Sequence, residues 1–143
     1  MKLTIKKWKY RRKIRKEFSF LFDKYNFKYV NSDISPTCIF IFQIVSKEIS
    51  LCIEIESETC WSVYLSKVNN IKDEYELNIL KQYLDKTEIE TQVMTVSDLK
   101  MFMQNNMSEI LNLFSDENYT DTKLALNVLG DKLAKKRFPG FFD

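Results

Sequence analysis

No histidine occurs among the 143 residues, and glycine and proline occur twice each. Without histidine the chain lacks the commonest general base and the commonest metal ligand. Phosphate cradles need glycine-rich turns that let several backbone N–H groups face one anion. Gly130 and Gly140 stand alone, which excludes P-loop and dinucleotide sites, and no G-x-S-x-G elbow presents a serine nucleophile. The scarcity of both residues also argues against flexible linkers. Cys38, Cys52 and Cys60 are odd in number, form no C-x-x-C pair and lie in or beside apolar runs. That pattern predicts reduced, buried thiols in a cytoplasmic protein and gives no zinc spacing. No apolar run is long enough to cross a bilayer. The basic N-terminus is followed by no apolar h-region, so export by a signal peptide is not expected.

Against these absences stands a composition that is 45% hydrophobic and 14% aromatic, enough to fill a core. The length fits a single domain over 1–143. The formal net charge of +2 conceals a division. Residues 1–16 hold Lys2, Lys6, Lys7, Lys9, Arg11, Arg12, Lys13, Arg15 and Lys16 and no acid. Taking these nine from the totals of 22 cations and 20 acids leaves 13 against 20, a net of −7 for the remainder. Lys132, Lys135, Lys136 and Arg137 form a second basic cluster, so the chain reads as an acidic body with basic ends.

Tyr10, Ile14, Phe18, Leu21, Phe22 and Tyr25 recur at helical spacing, predicting a first helix from about Thr4 to Asn26. Phe27–Val30 can make a short strand, and NSDISPT reads as a turn. CIFIFQIVS, from Cys38, is apolar throughout, as in a central strand covered on both faces. ISLCIEIES places Leu51, Ile53 and Ile55 on one face and Cys52, Glu54 and Glu56 on the other; in CWSVYLSKV, Trp61, Val63 and Leu65 share a face. NNIKDE ends the sheet, EYELNILKQYLD forms a helix with Leu77, Leu80 and Leu84 on one side, and IETQVM adds a strand or an extended link. Thr95-x-x-Asp98 is a loose capping box before a helix with Leu99, Phe102, Met103, Met107, Ile110, Leu111 and Phe114 on its apolar face. After the loop SDENYT, a last helix uses Leu124, Val128, Leu129 and Leu133, stops before Pro139, and is clamped to the core by Phe138, Phe141 and Phe142. The fold class is α+β: an N-terminal helix, a three- to four-stranded antiparallel meander, then two to three C-terminal helices packed on one sheet face.

Two features suggest binding. Period-two spacing puts Glu54, Glu56 and Glu58 on one side of a strand, with Tyr64 beside them on the next strand and Asp73, Glu74 and Glu76 widening the surface. This is either a solvated sheet face or a docking surface for a basic partner, with Tyr64 as an aromatic anchor. The basic run interleaves Lys6, Lys7, Lys9, Arg11 and Arg12 with Trp8 and Tyr10. It is the solvated back of a helix, a contact for nucleic acid, a membrane-surface helix or an ion-pairing arm for the acidic body. The methionines of the Met101–Met107 stretch read as core filling. One catalytic reading is a Mg²⁺-dependent nuclease of the restriction-endonuclease-like kind, with Glu54 and Glu56 as carboxylates. Its lysine is absent two residues after Glu56, where Glu58 stands, and Lys67 is a poor substitute.

The single-domain layout, the Glu54/Glu56/Glu58 stripe and the lack of histidine and glycine motifs resemble the small immunity proteins that bacteria make against polymorphic or contact-dependent toxins. The resemblance covers the chain as a class and carries no residue roles with it. It implies a non-enzymatic, cofactor-free cytoplasmic protein whose partner is a cognate toxin. The acidic surface would cover the basic cleft of a nuclease toxin. The alternative expectation is a nucleic-acid-associated or regulatory module using the basic N-terminus.

Overall fold

The structure is a computed structural model that describes residues 2–86 and 94–141. Helix α1 (Lys2–Glu17) and the short α2 (Ser19–Asp23) lead into five strands, β1 (Lys28–Ile34), β2 (Phe40–Val45), β3 (Ile49–Ile55), β4 (Trp61–Lys67) and β5 (Asn70–Glu76). Helices α3 (Leu77–Asp85), α4 (Val96–Leu113) and α5 (Tyr119–Arg137) follow. The strands pair antiparallel in sequence order, β1-β2-β3-β4-β5. The architecture is therefore α+β as expected, with five strands rather than three or four.

Alternation in β3 and β4 sets the two faces of the sheet. Leu51, Ile53 and Ile55 pair with Leu65, Val63 and Trp61, and all six are buried. They continue into Phe40, Phe42 and Ile44 of β2. On this inner face sit Ile14 of α1, Leu21 and Phe22 of α2, Leu80 of α3, the Leu99–Phe102–Met103–Met107–Ile110 stripe of α4, and Leu126 and Leu133 of α5, in one core cluster. Each fully buried Leu, Ile or Phe contributes about 1.5–3 kcal/mol, so the inner face holds the layers together. The expected capping box forms: Thr95 Oγ1 accepts from the Asp98 amide at 3.1 Å, and the Thr95 amide donates to Asp98 Oδ2 at 3.4 Å.

Several expectations need correction. The first helix is not continuous to Asn26; the chain turns at Phe18 (φ −113, ψ 35) before α2. At about 100° per residue, Phe20 would lie on the far side of an unbroken helix from Phe18. The turn instead brings the two rings to 6.4 Å. Asn26 does adopt the left-handed conformation, with φ 58. NSDISPT is not all turn: β1 runs to Ile34, and the bend begins at Ser35, whose Oγ accepts from the Ile39 amide at 3.0 Å. β2 is buried on one face only, its pattern alternating buried and half-buried. NNIKDE does not end the sheet but opens β5, and EYE completes that strand, so α3 starts at Leu77.

In α5 the buried positions are Thr122, Leu126 and Leu133, whereas Leu124 is 63% and Val128 55% exposed. Phe138 is exposed too. Of IETQVM, residues 89–93 lie outside the described residues, as does Phe142, while the Phe141 side chain is not described. Among the described residues no helix is long and apolar enough to cross a membrane.

Candidate binding face on the outer side of the sheet

The face turned away from the core carries Ile41 and Gln43 of β2, Ser50, Cys52 and Glu54 of β3, Ser62, Tyr64 and Ser66 of β4, and Glu74 and Glu76 of β5. The register aligns Gln43–Cys52–Tyr64–Glu76 in one cross-strand row and Ile41–Glu54–Ser62 in the next. Adjacent strands lie about 4.8 Å apart, so β1 and β5 would stand roughly 19 Å from each other in a flat sheet. Yet one hollow of about 140 Å³ touches Asn31 and Asp33 of β1, the middle strands, and Ile71 and Glu74 of β5. The sheet must therefore curl, with its outer face concave. Burial supports this: Ser50 and Ser66 are each only 3% exposed on the outer face, and Gln43 Nε2 donates to Ser50 Oγ at 2.9 Å across the floor.

The electrostatics of the outer face are one-sided, with Cys52 and Glu74 lining the hollow and Glu54 and Tyr64 beside it. Burial pushes Glu54 above the ordinary carboxylate range, and Glu56 adds to the shift. Glu74 is raised by desolvation over the hollow and then by Glu54. The Tyr64 hydroxyl is raised by burial and by Glu54, Glu76, Cys52 and Glu74. The Cys52 thiol is pushed up to about 12, first by burial and then by Glu74 and Glu54. Each group feels the negative charge of its neighbours. Among the described residues no cation forms an ion pair with Glu54 or Glu74.

Only part of the predicted acidic surface gathers here. Glu54, Tyr64, Glu74 and Glu76 share the face. β3 stops at Ile55, but the Glu56 amide still donates to the Cys60 carbonyl at 3.0 Å, which keeps Glu56 beside Glu54 at the end of the hairpin. Glu56 accepts from Cys60 Sγ at 3.4 Å, while Glu58 lies in the turn, closed by the Cys60 amide on the Ser57 carbonyl at 3.3 Å, and bears on Tyr10 of α1. Of the three-carboxylate stripe, Glu58 is thus the member that turns away. Asp73 binds Lys123 and Asn70, both at 2.8 Å. Glu76 is held by Arg137 through two hydrogen bonds of 2.8 and 3.1 Å. Both carboxylates are already neutralised inside the molecule.

A larger cleft of about 360 Å³, beside Trp61, Leu77 and Leu99, has this Glu76–Arg137 pair in its wall. Its carboxylate is taken up by the arginine. The nuclease geometry does not assemble. Glu56 is off the strand, and Lys67 points to the inner face, donating to the Phe114 carbonyl. Among the described residues no group of three His, Cys, Asp or Glu is placed to hold a metal ion.

Of the residues of the basic run singled out by sequence, Lys6, Lys9, Arg11, Arg12 and the interleaved Trp8 are exposed on α1 and Lys7 is half-buried. Arg12 stacks over the Trp8 ring at 4.8 Å. Arg11 lies 4.5 Å over Tyr29, whose hydroxyl donates to the Arg11 carbonyl at 2.6 Å. Sequence reasoning missed Asp33, Gln43, Ser50, Ser66 and Ile71 as parts of the hollow. Period-two alternation would have put Ser50 and Ser66 on the outer face, but their burial comes from the curl.

The fold and this face together define a two-layer α+β domain with helices on one side and an open acidic concavity on the other. Comparison with family models, with curated proteins and with solved structures finds no match.

Proposed function

We propose that the chain is a non-catalytic protein-binding domain, an immunity protein that neutralises a cognate bacterial toxin by occluding it. The observation that carries this reading is the pair Glu54 and Glu74, carboxylates of the outer face without an ion-pair partner among the described residues, with Tyr64 on the strand between theirs. Mutually repelling charges at such a place are relieved by a cationic partner, and complementary charge speeds association and selects the partner. Tyr64 supplies rigid contact area of the kind that anchors interfaces. A nuclease toxin fits, because its substrate-binding cleft is basic, and a protein seated there excludes the nucleic acid. The cytoplasm is where such a toxin would act.

The test is growth rescue. A toxin encoded beside this gene is expressed in a sensitive host with and without the chain. Rescue is expected, together with its loss in Glu54→Lys/Glu74→Lys at unchanged far-UV circular dichroism. Absence of rescue against every neighbouring toxin overturns the function. Full rescue by the double variant overturns the surface.

A further inference from the structure

We infer that α1 is a binding element for duplex DNA, entering the major groove with its first three turns, independently of the acidic face. Ile14 is the buried residue of this helix, and Leu3, Ile5 and Trp8 are exposed. The first two turns therefore stand proud of the core, and from Tyr10, whose ring meets Phe40 and Trp61, one side of the helix packs on the sheet while the other stays open. Cations surround the helix except along the sector of Tyr10 and Ile14 that packs on the core. At about 100° per residue, Lys7 and Arg11 fall on one flank, Arg12 and Arg15 on another, Lys9 and Lys16 on a third, and Lys2, Lys6 and Lys13 on a fourth.

The acids nearest to α1 do not cancel this charge. Glu17 pairs with Lys100 at 3.7 Å, and Asp23 pairs with Arg15 at 3.5 Å. Glu58 bears on Tyr10. Among the described residues Lys2, Lys6, Lys7, Lys9, Arg11, Arg12, Lys13 and Lys16 form no ion pair. Glu54 and Glu74 lie on the opposite face of the sheet from α1, so a polyanion at the helix does not meet them.

The distribution of charge decides between polyanions. A bilayer touches one side of a helix lying in its surface and calls for an apolar stripe along that side. Here the exposed apolar side chains are dispersed, with Leu3 and Ile5 about 200° apart around the axis. A major groove about 12 Å wide admits a helix and lines both of its flanks with phosphates. Cations on both flanks and on the outward side suit that surrounding. The Arg12–Trp8 stack holds a guanidinium extended along the helix, ready for a phosphate or a base edge.

The test uses the full chain and a short fluorescent DNA duplex of mixed sequence, read by anisotropy. With about four phosphate contacts, affinity should fall on the order of a hundredfold between about 50 and about 200 mM salt. The triple variant Lys6→Gln/Lys9→Gln/Arg12→Gln should lower the log–log salt slope by about three. These side chains are exposed, so the thermal transition should not move. Glu54→Gln should bind duplex as the parent does, which separates this proposal from the acidic-face reading. No anisotropy change at low salt overturns it, as does an unchanged slope in the triple variant. Equal affinity for the unpaired strand overturns the groove geometry. Stronger retention on vesicles of phosphatidylglycerol than on duplex assigns the helix to membranes instead.

Discussion

The ammonium of Lys67 donates to the backbone carbonyl of Phe114 at 2.8 Å, joining the end of β4 to the end of α4 across 47 positions of sequence. The same nitrogen meets Asp116 at 2.7 Å and lies 5.3 Å over the Tyr119 ring. The lysine is buried while Asp116 is largely exposed, so the hydrogen bond to the carbonyl matters more than the screened ion pair. Lys67→Met keeps the stem and removes the donor, leaving a helix-end carbonyl unpaired. A loss of about 2 kcal/mol is expected, measured by urea denaturation. Asp116→Asn should cost much less.

Glu54 should cost stability at neutral pH. Its folded pKa is raised, by burial first and Glu56 second. The folded state therefore holds the proton more tightly than the unfolded chain. The stabilising contribution is present below the unfolded carboxylate pKa and is lost as pH rises through the folded one. Glu54→Gln, which mimics the protonated form, should stabilise by about 0.5 kcal/mol at pH 7. That corresponds to about 2 °C in the midpoint of thermal unfolding. The gain should vanish once acid protonates the parent. Asp73 and Asp116 run the other way: their pKa values are lowered by hydrogen bonds from Lys123 and Lys67, and that support disappears on acidification. Thermal melts of the variant and parent from neutral pH down to the carboxylate range separate the two signs.

The cysteines should react in a fixed order. Cys38 is exposed at a bend, with φ 63. Cys52 is half-buried in the acidic hollow with its thiol pushed up to about 12, so almost none of the nucleophilic thiolate is present at mild alkaline pH. Cys60 is held up by its hydrogen bond to Glu56. Iodoacetamide followed by mass spectrometry should show one rapid modification, at Cys38, and the slowest at Cys52. Rapid labelling of Cys52 would contradict the surroundings described for it.

Helix α5 offers a paired test of packing. Leu126→Ala empties a fully buried site and should cost about 2–5 kcal/mol. Leu124→Ser and Val128→Ser, on the exposed side, should each stay within about 0.5 kcal/mol. Thr95→Ala, which breaks the capping box of α4, falls between them at about 1 kcal/mol. Chemical denaturation of the four variants gives the order directly.

The parts that could be read from sequence were those fixed by local chemistry. The alternation through Leu51–Ile55 and Trp61–Leu65, the Thr95–Asp98 cap and the α4 stripe depend on neighbours a few residues away. β5 was hidden because Asn70–Glu76 carries four charges and only Ile71 and Tyr75 as apolar residues, as an edge strand can. In α5 two helical ladders interleave, Thr122–Leu126–Leu129–Leu133 and Leu124–Val128. The sequence reading mixed the two, taking Leu124 and Val128 with Leu129 and Leu133, whereas the structure buries Thr122, Leu126 and Leu133 of the first. Of the candidate face, Glu54 and Tyr64 followed from period two. The departure of Glu58 followed from the turn after Glu56, which the unbroken alternation did not reveal. The hollow depends on twist accumulated over five strands, which no single stretch encodes.

That curl also acts as a filter on shape. A flat or hollow protein surface laid against the outer face would rest on the rims formed by Asn31–Asp33 and Ile71–Glu74, leaving the floor at Gln43 and Ser50 untouched. Only a protruding element, a helix or the tip of a loop, can reach the floor and touch Glu74 at the same time. For the basic partner proposed above, the curvature requires that the cationic group be carried on a projection.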